Sequence, residues 1–206
     1  MAEVLALVDY GAGNLRSVAN ALKAAGAEGV AVTADPQVVR AADRIVLPGV
    51  GAFKACVEAL RSVPGMVEAM AERVLVGGAP FLGICVGMQL MADRGIEFGV
   101  TEGLGWIGGE VRPIERTDPA IKVPHMGWND VEPMHHSPLI VPGEAYFLHS
   151  YHFVPTSGAS AAAMTDHGGG LVAAVAQGNI LGVQFHPEKS QDYGIALLER
   201  FLEWKP

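Results

Sequence analysis

Short apolar runs recur along the first 95 residues, and each is followed by a turn rich in glycine or proline and then by a segment with helical spacing. The first helix is predicted over residues 15–25, and Asp35 and Pro36 are expected to cap and start the second. Strands that alternate with helices in this way predict a parallel sheet covered by helices on both faces. The predicted strands of this half are residues 4–8, 30–33, 44–47 and 81–84.

The pattern changes after Gly95. Short apolar segments follow one another closely and are separated by glycine and proline, which predicts antiparallel hairpins attached to the α/β core. They lie at residues 104–107, 110–114, 129–132, 145–148, 151–154, 161–164 and 171–176. A strongly apolar strand at 180–185 and an amphipathic helix at 192–204 complete the chain. No linker or repeat separates the halves, so residues 1–206 are expected to form one domain.

Cys85 lies where the strand at 81–84 changes into the next helical segment. Gly83 and Gly87 flank it two residues away on each side, which is the pattern of a nucleophile elbow. A sharp strand-to-helix turn leaves little room for neighbouring side chains, and glycine removes them. The start of the helix also offers N–H groups and a positive dipole end that favour a thiolate. The alternative is that Cys85 is a small buried apolar residue.

A second turn is a candidate oxyanion hole. Residues 48–51 read Pro-Gly-Val-Gly and follow the strand at 44–47. In nucleophile-elbow enzymes the hole combines the N–H after the nucleophile with one from another strand-end loop. Those donors would be Val86 and either Gly51 or Val50. Without Cys85, the same turn would be an ordinary strand-to-helix connection.

His186 is the candidate base. It follows the apolar strand at 180–185 and precedes Pro187, which ends that strand. Active sites in parallel sheets lie beyond the carboxyl ends of the strands, where Cys85 is also expected. Glu188 is placed to hold the second imidazole nitrogen and to favour the imidazolium.

Composition excludes several classes of function. Half of the 206 residues are hydrophobic and 17% are charged, so disorder is not expected. The formal net charge of −8, without a basic tract, disfavours nucleic-acid binding. No apolar run is long enough to span a membrane, and the N-terminus lacks the basic region of a signal peptide. Two cysteines, Cys56 and Cys85, indicate free thiols in a reducing cytoplasm.

Other features of the sequence are weaker evidence of function. Gly11 and Gly13 suggest a dinucleotide fingerprint, but Arg16 stands where the third glycine would be. Asn14 is a candidate N-cap of the first helix. Cys56 falls in a helical segment at 52–62 with nothing nearby to activate it.

The remaining histidines give no metal-ligand spacing. His149 and His152 are three residues apart in extended structure and should face opposite sides, so a shared metal is not expected. His135 and His136 are expected in a solvated loop. No metal and no cofactor are predicted.

Several stretches together carry a family resemblance. Residues 83–89 (GICVGMQ), 48–51 (PGVG) and 186–188 (HPE) resemble the class I, or triad-type, glutamine amidotransferases. Residues 9–14 (DYGAGN), 124–129 (PHMGWN), 148–153 (LHSYHF) and 184–190 (QFHPEKS) narrow the resemblance to the glutaminase subunits of imidazole glycerol phosphate synthases. It covers essentially the whole chain.

The resemblance implies an α/β, flavodoxin-like fold and hydrolysis of L-glutamine to glutamate and ammonia. Cys85 would form a thioester with the substrate, His186 would act as acid and then base, and Glu188 would orient His186. The glutamine head group would be held by Gln89, Ser150 and Tyr151.

The resemblance also implies a partner. Members of the family form a heterodimer with a (β/α)8-barrel cyclase subunit, which uses the ammonia to make imidazole glycerol phosphate and an aminoimidazole carboxamide ribotide for histidine and purine synthesis. Asn14, Trp128 and Lys189 lie in the specific motifs but outside the triad, so they are expected to face that partner. Core packing is the alternative for Trp128.

Two rival functions remain at this point. One is a different amidotransferase, cysteine hydrolase or peptidase, against which the stretches at 124–129 and 148–153 argue. The other is a catalytically idle docking subunit, against which the set of Cys85, His186 and Glu188 argues.

Overall fold

A nine-stranded sheet forms the centre of the computed structural model, which describes residues 3–116, 118–134 and 139–206. The strands are β1 Leu5–Val8, β2 Val30–Thr33, β3 Arg44–Gly49, β4 Phe81–Cys85, β5 Arg94–Gly95, β6 Thr101–Glu102, β7 Gly109–Pro113, β8 His125–Pro133, β9 Gly143–His149, β10 Tyr151–Pro155, β11 Ala161–Asp166, β12 Gly170–Gln177 and β13 Ile180–Val183. The helices are α1 Leu15–Ala24, α2 Pro36–Ala41, α3 Phe53–Ser62, α4 Met66–Ala71, α5 Val86–Gln89 and α6 Gln191–Glu203. A π-helical turn covers Glu72–Val76, and 3-10 turns cover Gly158–Ser160 and Pro187–Lys189.

The strand order of the large sheet is β2-β1-β3-β4-β13-β12-β11-β8-β9. The first five strands are parallel to one another, and their order is that of flavodoxin-like sheets. Every residue of β1, β3, β4 and β13 is buried, as expected for strands covered on both faces. The predicted α/β fold with a mostly parallel core is therefore confirmed.

The helices cover this core with narrow apolar stripes. In α1 the buried residues are Val18, Ala19, Ala21 and Leu22, and in α6 they are Gly194, Leu197, Leu198 and Phe201. Helical spacing puts each set on one face. Arg44 at the start of β3 ties down the end of α6 by donating to the carbonyls of Phe201 at 2.9 Å and Trp204 at 2.8 Å.

The antiparallel strands of the second half divide between two sheets. Strands β8, β9, β11 and β12 continue the large sheet, and β10-β7-β5-β6 form a separate four-stranded sheet. The predicted strand at 104–107 is wrong. Those residues form an irregular segment in which the amides of Leu104 and Trp106 donate to the carbonyls of Leu90 and Met91, and the Trp106 ring packs on Phe81.

Two local predictions also need correction. Strand β3 continues through Pro48 and Gly49, which pair with Ile84 and Cys85, so the turn after it begins at Val50. Asn14 occupies the N-cap position of α1, but its side chain makes no capping hydrogen bond. The cap by Asp35 is confirmed, since its carboxylate accepts from the Gln37 amide at 2.8 Å. His135 and His136 lie outside the described residues.

No helix within the described ranges is both long and apolar enough to cross a lipid bilayer.

Candidate active site

Cys85 lies at the junction of β4 and α5 in a strained backbone conformation. Its φ is +54° and its ψ is −111°, which is rare for a residue with a side chain. The flanking glycines are needed for space: a Cβ on Gly87 would overlap the Leu47 carbonyl oxygen, and one on Gly83 would lie 2.7 Å from the Gly87 carbonyl oxygen. The helix start therefore packs directly on the backbone of β3 and β4, which holds the Cys85 side chain at the carboxyl edge of the sheet.

Sheet register brings three strand ends to this edge. Gly49 pairs with Cys85, and Val183 of β13 pairs with Ile84 of β4. The turn after β3 and the segment after β13 consequently flank Cys85 on its two sides. A cavity of about 160 Å³ opens there. It is lined by Val50, Gly51, Cys85, Val86, Gln89, Glu97, Leu148, His149, Ser150, Tyr151, His186 and Lys189.

His186 and Glu188 form a buried pair beside Cys85. The His186 Nδ1–H donates to Glu188 Oε1 at 2.8 Å, and the two side chains are 3% and 2% exposed. Because Nδ1 is engaged, Nε2 is left for the thiol. Burial opposes the charged form of His186, but its interactions with the neighbouring Cys85 and Glu188 side chains outweigh this and raise the pKa to about 9. The imidazole is therefore protonated at neutral pH and can act as a proton donor.

Gln89 borders the cavity, and Gln184 contacts both Gln89 and Cys85. The Gln89 Nε2 group donates to the Tyr151 carbonyl at 2.9 Å and to Gln184 Oε1 at 3.0 Å. The Gln184 Nε2 group lies 3.6 Å from Cys85 Sγ. No role was predicted for Gln184 from the sequence. The available signal was a polar residue within the apolar run predicted as a strand at 180–185, and the structure buries it fully.

Glu97 is another site residue for which no role was predicted. It lines the cavity, and its Oε2 accepts from the Phe53 amide at the start of α3 at 2.6 Å. This bond fixes a carboxylate at the mouth of the cavity. Nothing in its local sequence indicates the placement, because it comes from an irregular segment between β5 and β6.

Two side-chain hydrogen bonds fix the turn after β3. The Tyr10 hydroxyl donates to the Pro48 carbonyl at 2.8 Å, and Cys56 Sγ donates to the Val50 carbonyl at 3.3 Å. Burial raises the pKa of the Cys56 thiol, which disfavours its thiolate form. Gly51 has φ +107°, a conformation that favours glycine. Both candidate oxyanion donors on this turn, Val50 and Gly51, therefore border the Cys85 cavity, as Val86 does.

The three predicted interface residues lie in different places. Trp128 is 47% exposed on β8, so it is not a core residue. Its ring meets Tyr146 edge-on at 6.2 Å, and the Lys189 ammonium lies 6.0 Å from the centre of the Tyr146 ring. Lys189 also borders the cavity, whereas Asn14 is exposed at the start of α1 and does not.

Comparisons with known proteins agree with this arrangement. The family model for class-I glutamine amidotransferases matches residues 6–204. A solved glutamine amidotransferase superposes with a TM-score of 0.76 at 21% identity and 97% coverage of both chains. The solved PurLQS of Thermotoga maritima gives a TM-score of 0.69 at 19% identity, covering 98% of this chain and 99% of its own. The chain therefore belongs to the class I glutamine amidotransferases.

Relatives of higher sequence identity place the chain in one family within this class. The chain is 60% identical over 205 residues to the imidazole glycerol phosphate synthase subunit HisH of Zymomonas mobilis, covering 98% of this chain and 96% of the relative. The corresponding subunit of Rhodospirillum rubrum is 53% identical, with 98% and 99% covered. Within its class, the chain falls in the HisH family.

Proposed function

We propose that the chain is the glutaminase subunit of an imidazole glycerol phosphate synthase and that it hydrolyses L-glutamine at Cys85. The observation that carries this proposal is the buried pair of His186 and Glu188, joined by a hydrogen bond of 2.8 Å, whose imidazole lines the same open cavity as Cys85. The family and the identity to HisH subunits support the choice of glutamine as substrate.

The chemistry follows from these positions. The Cys85 thiolate attacks the side-chain amide carbon of glutamine, and the N–H groups of Val86 and of Gly51 or Val50 bind the oxyanion. His186 protonates the leaving nitrogen, and ammonia departs from the thioester. His186 then takes a proton from water, which attacks the thioester and releases glutamate and the thiol. The carboxylate of Glu188 holds the imidazole in orientation throughout.

The rest of the cavity is suited to an amino acid. Gln89, Ser150 and Tyr151 border it and would contact the substrate. We add Glu97, whose carboxylate is complementary to an α-ammonium group and is already oriented by the Phe53 amide. No cofactor has a part in this reaction.

A continuous surface supports docking of a partner. The exposed side chains of Trp128 and Met126 lie on β8, where they pair in register with Tyr146 and Leu148 of β9. This surface runs through Tyr146 to Lys189 at the mouth of the cavity. We propose that a (β/α)8-barrel cyclase subunit binds here as a heterodimer in the cytoplasm, with Asn14 at the edge of the interface, and receives the ammonia. The single chain of 206 residues would act as one domain.

Ammonia release tests the function directly. We expect slow release from glutamine by the chain alone and a large increase when the cyclase and its ribonucleotide ligand are added. The measurement is glutamate formation with and without the partner. Cleavage of peptides, or no glutamate under any of these conditions, would contradict the proposal.

Trp128→Ala should weaken docking. Interface tryptophans commonly contribute about 2 kcal/mol or more, so the dissociation constant of the complex is expected to rise about 30-fold or more. Titration of the cyclase measures it. Val76→Ala is the matched control, because Val76 is also exposed but lies in the π-helical turn and outside the cavity lining. Equal affinities of the two variants would exclude this surface as the docking site.

A further inference from the structure

Two buried histidines face each other beside the Cys85 cavity, and one of them, His149, forms part of its lining. His125 on β8 and His149 on β9 pair in register, and they are 3% and 6% exposed. Their rings meet with His125 Nδ1 and His149 Nε2 3.0 Å apart. No role was predicted for them from the sequence, and the proposed chemistry does not use them.

The directions of these hydrogen bonds are fixed by the Tyr151 carbonyl, which ends the chain of contacts. The Tyr151 carbonyl can only accept, so His149 Nδ1–H donates to it at 2.9 Å. His149 Nε2 must then accept from His125 Nδ1–H, and His125 Nε2 accepts from Asn129 Nδ2 at 3.0 Å. The other Asn129 proton goes to the Asp166 carbonyl at 2.8 Å. All ring nitrogens are satisfied only when both imidazoles are neutral.

Burial favours the same state. It lowers the pKa of His125 to about 4, assisted by the charge of His167, and lowers that of His149 to about 3. The two rings therefore remain uncharged throughout the pH range in which most enzymes work, and the directions of their hydrogen bonds stay fixed.

This chain of hydrogen bonds reaches Cys85. The Tyr151 carbonyl accepts from both His149 and Gln89 Nε2, each at 2.9 Å. The second proton of Gln89 Nε2 goes to Gln184 Oε1, and Gln184 Nε2 approaches Cys85 Sγ. Displacement of the Tyr151 carbonyl would therefore free Gln89 to rotate and would remove the partner that orients Gln184.

We propose that His125 and His149 are positioning residues of the Cys85 cavity, which fix the Tyr151 carbonyl and through it the side chains of Gln89 and Gln184. This inference rests on the proposed glutaminase function. A purely structural role is the alternative, because the His125 ring also stacks on Phe147, with ring centres 4.6 Å apart, and on His167 at 4.1 Å.

Two substitutions of His125 separate these roles. His125→Phe keeps a stacked ring but removes the donor to His149. His125→Asn removes most of the ring but puts an amide near the position of Nδ1. A positioning role predicts that His125→Asn is more active than His125→Phe, although His125→Phe is the more stable of the two. A structural role predicts that activity follows stability.

The test measures glutamine-dependent and ammonia-dependent turnover of the complex with the cyclase, together with thermal unfolding. For His125→Phe we expect kcat/KM for glutamine to fall about 10- to 100-fold, mainly through KM, with ammonia-dependent turnover unchanged within about twofold. His125→Asn should recover at least part of that loss. His152→Phe, at a histidine on β10 outside this chain of hydrogen bonds, should keep the wild-type kcat/KM.

Two results would overturn the positioning role. One is a glutamine kcat/KM of His125→Phe within about twofold of wild type, and the other is an asparagine variant no more active than the phenylalanine variant. A wild-type complex without glutamine-dependent turnover would instead contradict the proposed function and this inference together, so the two failures are distinguishable.

Discussion

Cys85→Ala is expected to abolish glutamine-dependent turnover of the complex and to leave ammonia-dependent turnover by the cyclase largely intact. The sulfur supplies the bond of the thioester. The Ser150 hydroxyl also borders the cavity, but no base is hydrogen-bonded to it within the described residues. Loss of a triad nucleophile costs on the order of 10⁴-fold or more in comparable enzymes.

The measurement is product formation with glutamine or with an ammonium salt as nitrogen source. Cys56→Ser is the matched control, because it changes the other buried thiol but keeps a donor to the Val50 carbonyl. It should retain glutamine-dependent turnover. If Cys85→Ala loses both activities together, Cys85 holds the fold or the interface and not the reaction.

The strand ends explain why the triad could be predicted from sequence. Cys85 and His186 each follow a short apolar run directly, and in a parallel sheet such positions converge at one edge whichever strands are neighbours. Glu188 is only two residues from His186, so their contact is local. The structure brings these side chains together as expected, and their catalytic roles stay predictions.

Contacts between distant segments could not be predicted in the same way. Glu97 reaches the cavity from an irregular segment through the Phe53 amide, and Gln184 meets Gln89 across 95 positions of the chain. The pairing of His125 with His149 depends on the register of β8 and β9. Alternation of apolar residues predicts that a strand exists, but its partner is decided by tertiary packing.

The same limit explains the error at residues 104–107. The segment has the apolar residues of a strand because Trp106 and Ile107 are buried. Its backbone amides are satisfied by carbonyls at the end of α5 instead of by a neighbouring strand. Burial and strand pairing are separate properties, and a short apolar run reports only the first.

Of the substitutions proposed for this chain, Gly87→Ala is expected to lower the free energy of unfolding most. It should also disable the active site in molecules that still fold. The added Cβ would overlap the Leu47 carbonyl oxygen, which belongs to the backbone of a buried central strand and cannot move away. Helix α5 would have to shift from β3. We expect a loss of about 3 kcal/mol or more, which corresponds to a fall in Tm of about 6–12 °C for a chain of this size.

The effect on chemistry has a separate cause. Val86 and Cys85 immediately precede Gly87, so a shift of α5 moves both the oxyanion donor and the sulfur away from His186. Displacement by about 1 Å costs on the order of 100-fold in rate, so glutamine-dependent turnover per folded molecule should fall by at least that factor.

Gly158→Ala is the control for the substitution itself. An ideal Cβ at Gly158 has no heavy atom within 4 Å, and its φ is not in the left-handed region, so the free energy of unfolding should change by no more than about 0.5 kcal/mol. Thermal unfolding of the two variants and of the wild type makes the comparison. The contrary result is a Gly87→Ala variant that matches Gly158→Ala in Tm and keeps glutamine-dependent turnover. That result would show that close packing of α5 on β3 does not hold the nucleophile in place. The strained conformation of Cys85 would then be maintained by its side-chain contacts alone.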